Sequence, residues 1–301
     1  MKNLIKKKII VITGGAGFVG SNLIAKLLLE KNINIISIDN YSSGLKKNHI
    51  KNKNIKYIKG DSKNIDKILK PIRKKINVIF HFGEFARIYQ SFIKFNQCFD
   101  SNTIGTKAVF KFCLDNKIKL VYSATSANLG NHGSDKNLSP YAFTKAKNLE
   151  LLENLKIWFN FKYEVIYFYN VYGANQISVG DMATVIGIFE EQFRLNKALT
   201  IVKPGNQTRR FTHIDDTIEC CIYAWKKNRC LHYSISSKKS FSILQVAKIF
   251  SDKIRYLPER RGERYASALT DMHLTNKVHK RYGKKDLLKY IQNFKKKIVR
   301  S

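Results

Sequence analysis

The sequence predicts an α/β fold in which a doubly wound parallel sheet is followed by a smaller C-terminal α/β domain. Short apolar runs alternate with helix-period segments over the first 170 residues, which is the pattern of successive βαβ units. Each run is almost continuously apolar, as expected for a strand covered on both faces of a parallel sheet. A glycine-rich turn follows the first of these runs directly.

Six strands and four helices follow from this pattern in the first half of the chain. The predicted strands are 8–13, 33–39, 55–59, 76–82, 118–124 and 163–169. The predicted helices lie near 18–31, 62–74, 98–116 and 141–160. Beyond about residue 172 the pattern loosens, and we expect helices near 181–196, 215–228 and 241–253, a strand near 231–235 and two final helical stretches.

This change in pattern predicts two domains. Residues 1–172 would form the parallel sheet with its helices, and residues 173–301 a smaller α/β substrate-binding domain. The strand near 231–235 is a candidate for returning to the first sheet. Such a second domain would be built onto the carboxyl edge of the sheet, where ligands bind in folds of this class.

The composition is that of a globular protein with an unusual charge. Of 301 residues, 44% are hydrophobic and 26% charged, and no apolar run approaches the roughly 20 residues of a membrane-spanning helix. Lys and Arg outnumber Asp and Glu by 55 to 22, a net charge of +33, which is typical of nucleic-acid binders. However, the lysines are spread along the whole chain without an aromatic-interleaved block. We therefore favour a solvated basic surface over a nucleic-acid partner, although that surface would also attract an anionic substrate.

The cysteines and the N-terminus favour a cytoplasmic protein. The five cysteines are odd in number and contain no CxxC pair, which favours neither a disulfide framework nor a metal site. Lysines 6–8 before the apolar residues 9–12 imitate a secretory signal, but the apolar run is too short and passes straight into Thr13. We interpret it as the first strand.

The turn after this strand predicts a dinucleotide site. Residues 13–20 read TGGAGFVG, with glycines at 14, 15, 17 and 20, between a predicted strand and a predicted helix. Glycines allow the tight turn and let the backbone approach a pyrophosphate, whose charge the helix N-terminus favours. Asp39 ends the second strand, 19 residues after Gly20. A carboxylate there accepts hydrogen bonds from ribose hydroxyls and repels a 2′-phosphate, so NAD is favoured over NADP.

Tyr141 and Lys145 are the candidate catalytic pair. They are four residues apart on one face of a predicted helix, where an ammonium favours the phenolate form of a tyrosine. A second YxxxK pair, Tyr223 and Lys227, has no serine- or threonine-bearing strand beside it, and we reject it. The first pair follows Thr125, whose hydroxyl stands at the end of the fifth predicted strand and could bond the reacting oxygen.

With these residues in place, the chain resembles the extended branch of the short-chain dehydrogenase/reductase superfamily. Within it, the chain is similar to the NAD-dependent epimerase/dehydratase family, and its motifs are like those of UDP-glucose 4-epimerase-like nucleotide-sugar epimerases. The match runs over roughly residues 8–265. The motifs that carry it are TGGAGFVG at 13–20, DNYSSG at 39–44, NTIGT at 102–106, SPYAFTK at 139–145, FYNVYG at 168–173 and QTRRFTHIDD at 207–216.

The resemblance implies a Rossmann domain with bound NAD, a nucleotide-diphosphate sugar as substrate and the following site residues. Tyr141, Lys145 and Thr125 would be catalytic. NAD would be contacted by Gly14, Gly17, Phe18, Val19, Gly20, Asp39, Asn40, Gly44, Asp61, Ser62, Phe82, Gly83, Tyr141, Lys145 and Tyr169. The substrate would be contacted by Glu84, Thr125, Asn170, Arg209 and Arg260.

Several of these assignments leave alternatives open. Asp61 could meet the adenine or simply cap a helix. Arg260, a proposed clamp on the diphosphate together with Arg209, adjoins Arg261, so its placement is open by one residue. Glu84 could contact the sugar, act as an extra acid or base, or have a structural role. His81, within an apolar strand, is interpreted as a core histidine.

The resemblance implies a first chemical step that is shared across the family. In this step the tyrosine takes the proton of the sugar 4-hydroxyl while hydride passes from C4 to NAD. In the family's 4,6-dehydratases an acidic residue typically follows the catalytic threonine, whereas here Ser126, Ala127 and Asn128 follow Thr125. Elimination needs an acid and a base, so the sequence favours a 4-epimerase, serving surface-polysaccharide synthesis. The alternatives are a 4,6-dehydratase, epimerisation at another carbon, or a non-catalytic nucleic-acid-binding member of the family.

The resemblance also implies a homodimer. Helices near 98–116 and 141–160 could form a four-helix seam between two copies. Phe110, Phe112 and Trp158 are candidate contacts, and an intramolecular core explains them equally well. Only 15 residues separate Thr125 from Tyr141, fewer than expected for a sugar epimerase.

Overall fold

A seven-stranded parallel sheet forms the centre of the computed structural model, which describes residues 7–262 and 282–300, the side chains of 130–133 excepted. The strands are β1 (Lys8–Thr13), β2 (Ile33–Asp39), β3 (Ile55–Lys59), β4 (Ile76–His81), β5 (Lys119–Thr125), β6 (Tyr163–Phe168), β7 (Val171–Tyr172), β8 (Leu199–Val202), β9 (Thr208–Arg210), β10 (Thr212–His213), β11 (His232–Ser234), β12 (Ser240–Ser242) and β13 (Ile254–Leu257). The order in the large sheet is β11-β6-β5-β4-β1-β2-β3. The α/β class with a doubly wound sheet is therefore confirmed.

The helices connect these strands as βαβ crossovers require. They are α1 (Phe18–Leu27), α2 (Ile65–Leu69), α3 (Ile88–Ile93), α4 (Phe95–Phe99), α5 (Thr106–Asp115), α6 (Pro140–Phe159), α7 (Val185–Arg194), α8 (Ile214–Lys227), α9 (Ile243–Phe250) and α10 (Leu287–Arg300). Shorter 3-10 segments occupy Lys46–Asn48, Ser62–Asn64, Lys70–Lys75 and Ser126–Asn137, and a π-helical turn occupies Asp100–Gly105. None of the helices described here is long and apolar enough to cross a membrane.

The apolar runs of the strands are buried on both faces of the sheet. One face packs on α1 and α8, which contribute Leu23 and Ile218 to its core. The other face packs on α2, α5 and α6, where Phe110 and Phe112 are almost fully buried. These two phenylalanines therefore belong to the intramolecular core, whereas Trp158 at the end of α6 is 61% exposed.

The strand near 231–235 returns to the large sheet. As β11 it pairs in parallel with β6. Helix α8, which precedes it, packs on β5 and β6 of that sheet and on α1, and it also contacts β7 and β10. The remaining strands of this half form three pairs, β7 with β10, β8 with β13 and β9 with β12. They pack with α7, α9 and α10 around a separate core that contains Phe189 and Phe250.

Helix boundaries differ from expectation where local chemistry intervenes. The segment expected as one helix at 62–74 breaks at Leu69, because Pro71 lacks the amide hydrogen that would continue it. Helix α7 begins at Val185, not near 181, because the Thr184 hydroxyl accepts from the Gly187 amide at 3.1 Å and caps it. Of the two final helical stretches, α10 is one; the other falls within 263–281, outside the described residues.

Candidate active site

A cleft of about 490 Å³ opens at the carboxyl ends of the central strands. The strand order reverses direction on either side of β1, and such a switch point is where doubly wound folds bind ligands. Every residue that the sequence predicted for cofactor, substrate or catalysis lines this cleft, with the exception of Gly44. Residues from both halves of the chain thus meet at one place.

The glycine turn is shaped by close backbone contacts. Gly14 has φ +70°, and a Cβ atom there would lie 2.8 Å from the Gly83 nitrogen. A Cβ on Gly20 would lie 2.2 Å from the Gly14 carbonyl oxygen. Side chains are excluded at both positions, so the floor of this part of the cleft is bare backbone.

Helix α1 begins at this turn without a side-chain cap. Its N-cap residue is Gly17, which has no side chain that could accept a capping hydrogen bond. The amide groups of the first turn of a helix lack intrahelical acceptors and carry a partial positive charge. Since Gly17, Phe18, Val19 and Gly20 line the cleft, this end of α1 is suited to an anionic pyrophosphate.

Asp39 ends β2 beside the turn and is 7% exposed. Its carboxylate accepts the Ala16 amide at 2.9 Å and the Tyr41 amide at 2.8 Å. Burial raises the pKa of Asp39, and these two backbone hydrogen bonds act in the opposite direction. Gly44 lies against this carboxylate, since a Cβ on it would be 2.7 Å from both oxygens. It therefore leaves room for Asp39.

Asp61 has both of the features that the sequence left as alternatives. Its carboxylate caps the 3-10 turn Ser62–Asn64 by accepting the Lys63 amide at 3.0 Å. The other oxygen accepts from Asn40 Nδ2 at 3.0 Å. Asp61, Asn40 and Ser62 all line the cleft at the end near Asp39, so capping does not remove Asp61 from the site.

Thr125, Tyr141 and Lys145 lie together in the cleft wall. Thr125 is the last residue of β5, and the other two lie on the first turns of α6. Ser139 caps this helix by accepting the Ala142 amide at 3.1 Å, and the Tyr141 amide donates to Ser91 Oγ at 3.2 Å. The capped start of α6 thus fixes the backbone that carries Tyr141 and Lys145, and both residues line the same cleft as Thr125.

Glu84 lies just beyond β4 and lines the same wall, but its carboxylate bonds to protein groups. It forms an ion pair with Lys145 and accepts hydrogen bonds from Thr106 at 2.9 Å and Tyr122 at 3.0 Å. Its side chain is only 2% exposed. This geometry supports the structural alternative for Glu84 over direct contact with a sugar.

His81 is a core histidine, as its place in an apolar strand suggested. It is fully buried between Thr13 and Thr106, whose hydroxyls lie 2.7 Å and 3.0 Å from its ring nitrogens. Burial lowers the pKa of His81 to about 4, so the ring is neutral near physiological pH.

Two positioning contacts were not predicted from the sequence. The amide of Asn128, oriented with its nitrogen toward Ala142 O (3.0 Å) and its oxygen toward Ala146 N (3.1 Å), ties the segment after β5 to α6. Arg87 donates through Nε to Met182 O at 3.0 Å and joins the segment before α7 to the catalytic side. No local motif marks either residue, because both contacts depend on how distant segments pack.

The substrate end is formed by polar residues of the second half. Asn170 lies just beyond β6, and its Nδ2 donates to Arg210 O at 2.9 Å. Arg209, on β9, is 6% exposed and donates to the Thr208 carbonyl at 2.8 Å. The Arg260 guanidinium lies over the Tyr89 ring at 5.0 Å. Arg260 lines the cleft and the adjoining Arg261 is not among the lining residues, which favours Arg260 for this place.

Comparison with known proteins identifies relatives of this chain in sequence and in fold. Residues 10–236 match the profile of the NAD dependent epimerase/dehydratase family. The chain is 28% identical over 274 residues to a putative UDP-glucose 4-epimerase of Methanocaldococcus jannaschii, covering 85% of this chain and 88% of the relative. It is 29% identical over 260 residues to the dTDP-D-glucose 4,6-dehydratase of Bos taurus, covering 80% and 71% respectively. It shares its fold with the UDP-glucose 4-epimerase of Thermotoga maritima, solved with UDP-glucose, at a TM-score of 0.84 and 24% identity over 97% of this chain and 99% of that one.

Proposed function

Since the chain belongs to the NAD-dependent epimerase/dehydratase family, we propose that it is a nucleotide-sugar 4-epimerase that acts through a transient 4-keto sugar. NAD is the cofactor of this family. A nucleotide-diphosphate sugar as substrate is supported by the names of the relatives, which include UDP-glucose and dTDP-glucose enzymes. The carbon that is epimerised and the identity of the sugar are also part of this proposal.

The residues of the cleft fit a dinucleotide. The side-chain-free floor at Gly14 and Gly20 admits a pyrophosphate, and the uncapped start of α1 favours its charge. The Asp39 carboxylate beside it suits ribose hydroxyls. When held by these residues, NAD would supply a reversible hydride acceptor for C4 of the sugar.

The catalytic residues act on the proton of the sugar 4-hydroxyl. Tyr141 takes this proton as general base and returns it when the alcohol re-forms. Lys145 provides the positive charge that favours the phenolate. The Thr125 hydroxyl, at the end of β5, bonds the reacting oxygen, while Arg209 and Arg260 bind the diphosphate.

The choice of epimerase rests on the carboxylates of the cleft. Among the described lining residues these are Asp39, Asp61 and Glu84. The first two lie at the adenosine end, and Glu84 bonds to Lys145 and its neighbours. Eliminating water across C5 and C6 needs a general acid and a base near the sugar. Among the described lining residues, the segment that follows Thr125 provides no carboxylate that could act as this acid or base.

A 4,6-dehydratase is the second candidate, because the dehydratase of Bos taurus is 29% identical to this chain and the putative UDP-glucose 4-epimerase of M. jannaschii is 28% identical. The two reactions differ in whether carbon-bound hydrogens of the product come from the substrate or from solvent. Epimerisation at C4 by hydride transfer keeps every carbon-bound hydrogen. Dehydration, or epimerisation next to the keto group, exchanges a carbon-bound proton with solvent.

The deciding experiment follows the protein with UDP-glucose, UDP-N-acetylglucosamine and dTDP-glucose in D₂O by NMR. We expect the C4 epimer of at least one sugar, without deuterium on carbon and without net formation of reduced cofactor. The Tyr141→Phe variant serves as the matched control and should form product far more slowly than the wild type. A 4-keto-6-deoxy sugar carrying deuterium would show a dehydratase instead.

We also propose a cytoplasmic homodimer that contacts its partner through α6. The last turn of this helix presents Ile157, Trp158 and Phe159, all more than half exposed. Adjacent large apolar side chains exposed in this way are typical of contact surfaces. Light scattering after gel filtration tests the oligomeric state, and a Trp158→Ser variant should shift it toward the monomer.

A further inference from the structure

A buried ion pair lies in the cleft wall that also contains the proposed catalytic tyrosine. The side chains of Glu84 and Lys145 are 2% and 4% exposed, and they contact each other directly. The two residues are 61 positions apart, one after β4 and the other on α6. Neither the proposed general base nor the proposed cofactor contacts explain why a carboxylate is placed here.

The carboxylate is held by donors from several elements. Oε1 accepts from Thr106 at 2.9 Å, from the Tyr122 hydroxyl at 3.0 Å and from Asn148 at 3.2 Å, while Oε2 contacts Lys145 Nζ. A buried charge is tolerated when its hydrogen-bonding capacity is filled in this way. Glu84 is thus fixed in place independently of any bound ligand.

The other groups around Lys145 cannot balance its charge. Its ammonium also contacts the Ser123 carbonyl and the Tyr122 hydroxyl, the latter at 3.3 Å, and lies 4.6 Å from the Tyr122 ring centre. Burial raises the pKa of the Tyr122 phenol well above its usual range and that of the Cys98 thiol to about 11, and His81 is neutral. Within the described part of the chain, Glu84 is therefore the anion that faces Lys145.

Burial works against the ammonium. It lowers the pKa of Lys145, and the charge of Glu84 acts in the opposite direction. A lysine in such a site loses its proton readily when its counter-ion is removed. An uncharged Lys145 could no longer favour the phenolate of Tyr141. Arg87, in the segment after β4, also interacts electrostatically with Tyr141. This arginine is retained in all the variants described below.

A hydrogen-bonded chain connects this pair to the glycine turn. Because Thr106 donates to Glu84, it accepts from His81 Nε2 at 3.0 Å. The other nitrogen of the neutral ring then accepts from the Thr13 hydroxyl at 2.7 Å. Thr13 in turn accepts the Phe82 and Gly83 amides at 3.2 Å and 3.1 Å. These donors all point toward the carboxylate, which stabilises its negative charge.

We propose that Glu84 is a positioning residue whose carboxylate keeps the buried Lys145 ammonium charged and fixed on α6, one helical turn from Tyr141, in the wall of the same cleft. This role rests on the proposed function, since it assumes that Tyr141 is the base. It assigns to Glu84 neither contact with the sugar nor proton exchange with it.

The inference predicts the direction of a pH shift. In Glu84→Gln the side chain keeps its size but loses its charge, so Lys145 becomes neutral and Tyr141 loses an adjacent cation. The acid limb of the kcat/KM profile then moves to higher pH by about one unit, and the rate at neutral pH falls on the order of ten-fold. Glu84→Asp, which retains the charge, restores most of that rate. A limb that stays in place or moves to lower pH would overturn the proposal.

The protonation of Lys145 can be read without turnover. In NAD-loaded protein labelled with ¹³Cε-lysine, the Lys145 signal is identified by its loss in Lys145→Met. We expect it to remain charged through the neutral range in the wild type and to titrate at lower pH in Glu84→Gln. Equal titration in both proteins contradicts the inference. If no nucleotide sugar is converted, the proposed function fails, but this titration still decides the role of Glu84.

Two further variants separate charge from packing. Tyr122→Phe removes one hydrogen bond to Glu84 and leaves the ion pair, so the acid limb and the Lys145 titration should stay in place even where the rate falls. A shift as large as that of Glu84→Gln would contradict the charge argument. If Glu84→Gln does not fold, the double variant Glu84→Gln/Lys145→Met should fold, because it no longer has to bury a lysine without its counter-ion. Failure of both to fold overturns the proposal.

Discussion

The two ends of the cleft are built by different physical means. At the glycine turn, the shape comes from backbone atoms, which leave no space for a Cβ at Gly14 or Gly20. At the catalytic end, the shape comes from buried polar side chains, with Glu84 and Lys145 at the centre of their network. One end is therefore sensitive to added atoms, and the other to lost charges and hydrogen bonds.

This difference shows how one fold separates binding from chemistry. A backbone-lined turn binds a phosphate through groups that every residue possesses, so its requirement is the absence of side chains. Proton transfer needs particular functional groups at particular distances. Their burial makes each group dependent on its partners. The two ends should accordingly respond to different substitutions.

The largest effect is expected at the catalytic end. Tyr141→Phe removes the hydroxyl that takes the substrate proton and leaves the glycine turn intact. We expect turnover to fall by about 10²–10⁴-fold, the usual contribution of general base catalysis, while NAD still binds. Product formation by NMR and NAD binding by calorimetry measure the two ends separately. Full activity in this variant would show that another group is the base.

A substitution at the glycine turn tests the other end of the cleft, where an added atom should weaken NAD binding. A Cβ in Gly20→Ala would meet the Gly14 carbonyl at 2.2 Å, so the turn must shift. We expect NAD affinity to fall at least about ten-fold and unfolding free energy to drop by roughly 1–3 kcal/mol, as in other overpacked sites. Gly105→Ala is the matched control, since its Cβ would meet no atom closer than 3.5 Å. Equal NAD affinity in both variants would contradict a backbone-shaped site.

His81 joins the two ends and makes the stability of the protein depend on pH. Because burial lowers the pKa of His81 to about 4, the unfolded chain binds a proton below pH 6.5 that the folded protein does not accept. Stability is then greatest above pH 6.5 and falls as the pH drops toward 4, by up to about 3 kcal/mol from this residue. Urea unfolding across this range measures the loss. The slope should be shallower in His81→Gln, and equal slopes would rule out His81 as its source.

The smallest effect is expected at the substrate end, where two arginines differ in burial. Arg209 is 6% exposed, whereas Arg260 is exposed to solvent. A charge-assisted bond to a diphosphate is stronger where water is excluded. We expect Arg209→Lys to raise KM for the nucleotide sugar by about ten-fold, and Arg260→Lys to raise it less. Steady-state kinetics test the order, and unchanged kcat in both variants would separate binding from chemistry.

Local sequence patterns predicted most of the secondary structure correctly. Strands β1, β2 and β3 begin and end at the residues expected from their apolar runs, since continuous burial on both faces demands such runs. The boundaries of α2 and α7 were less accurate, because Pro71 and the Thr184 cap act over a single turn. The division into domains at residue 172 remains a prediction. Helix α8, from the second half, nonetheless covers the main sheet.

By itself, the sequence determined the glycine turn, Asp39 at the end of the second strand, and the Tyr141–Lys145 spacing, because each depends on residues within one turn or one helix. Only the tertiary structure decided that Glu84 bonds Lys145, that Arg87 reaches Met182 and that His81 lies between Thr13 and Thr106. These pairs are separated by 25 to 95 residues. His81 meets Thr13 because the sheet places β4 beside β1, and Glu84 meets Lys145 because β4 also lies beside β5, next to which α6 packs. No local pattern encodes this strand order or the packing that brings Arg87 to Met182. The physical reason is that a buried polar group takes whichever partner the packing brings within hydrogen-bond distance.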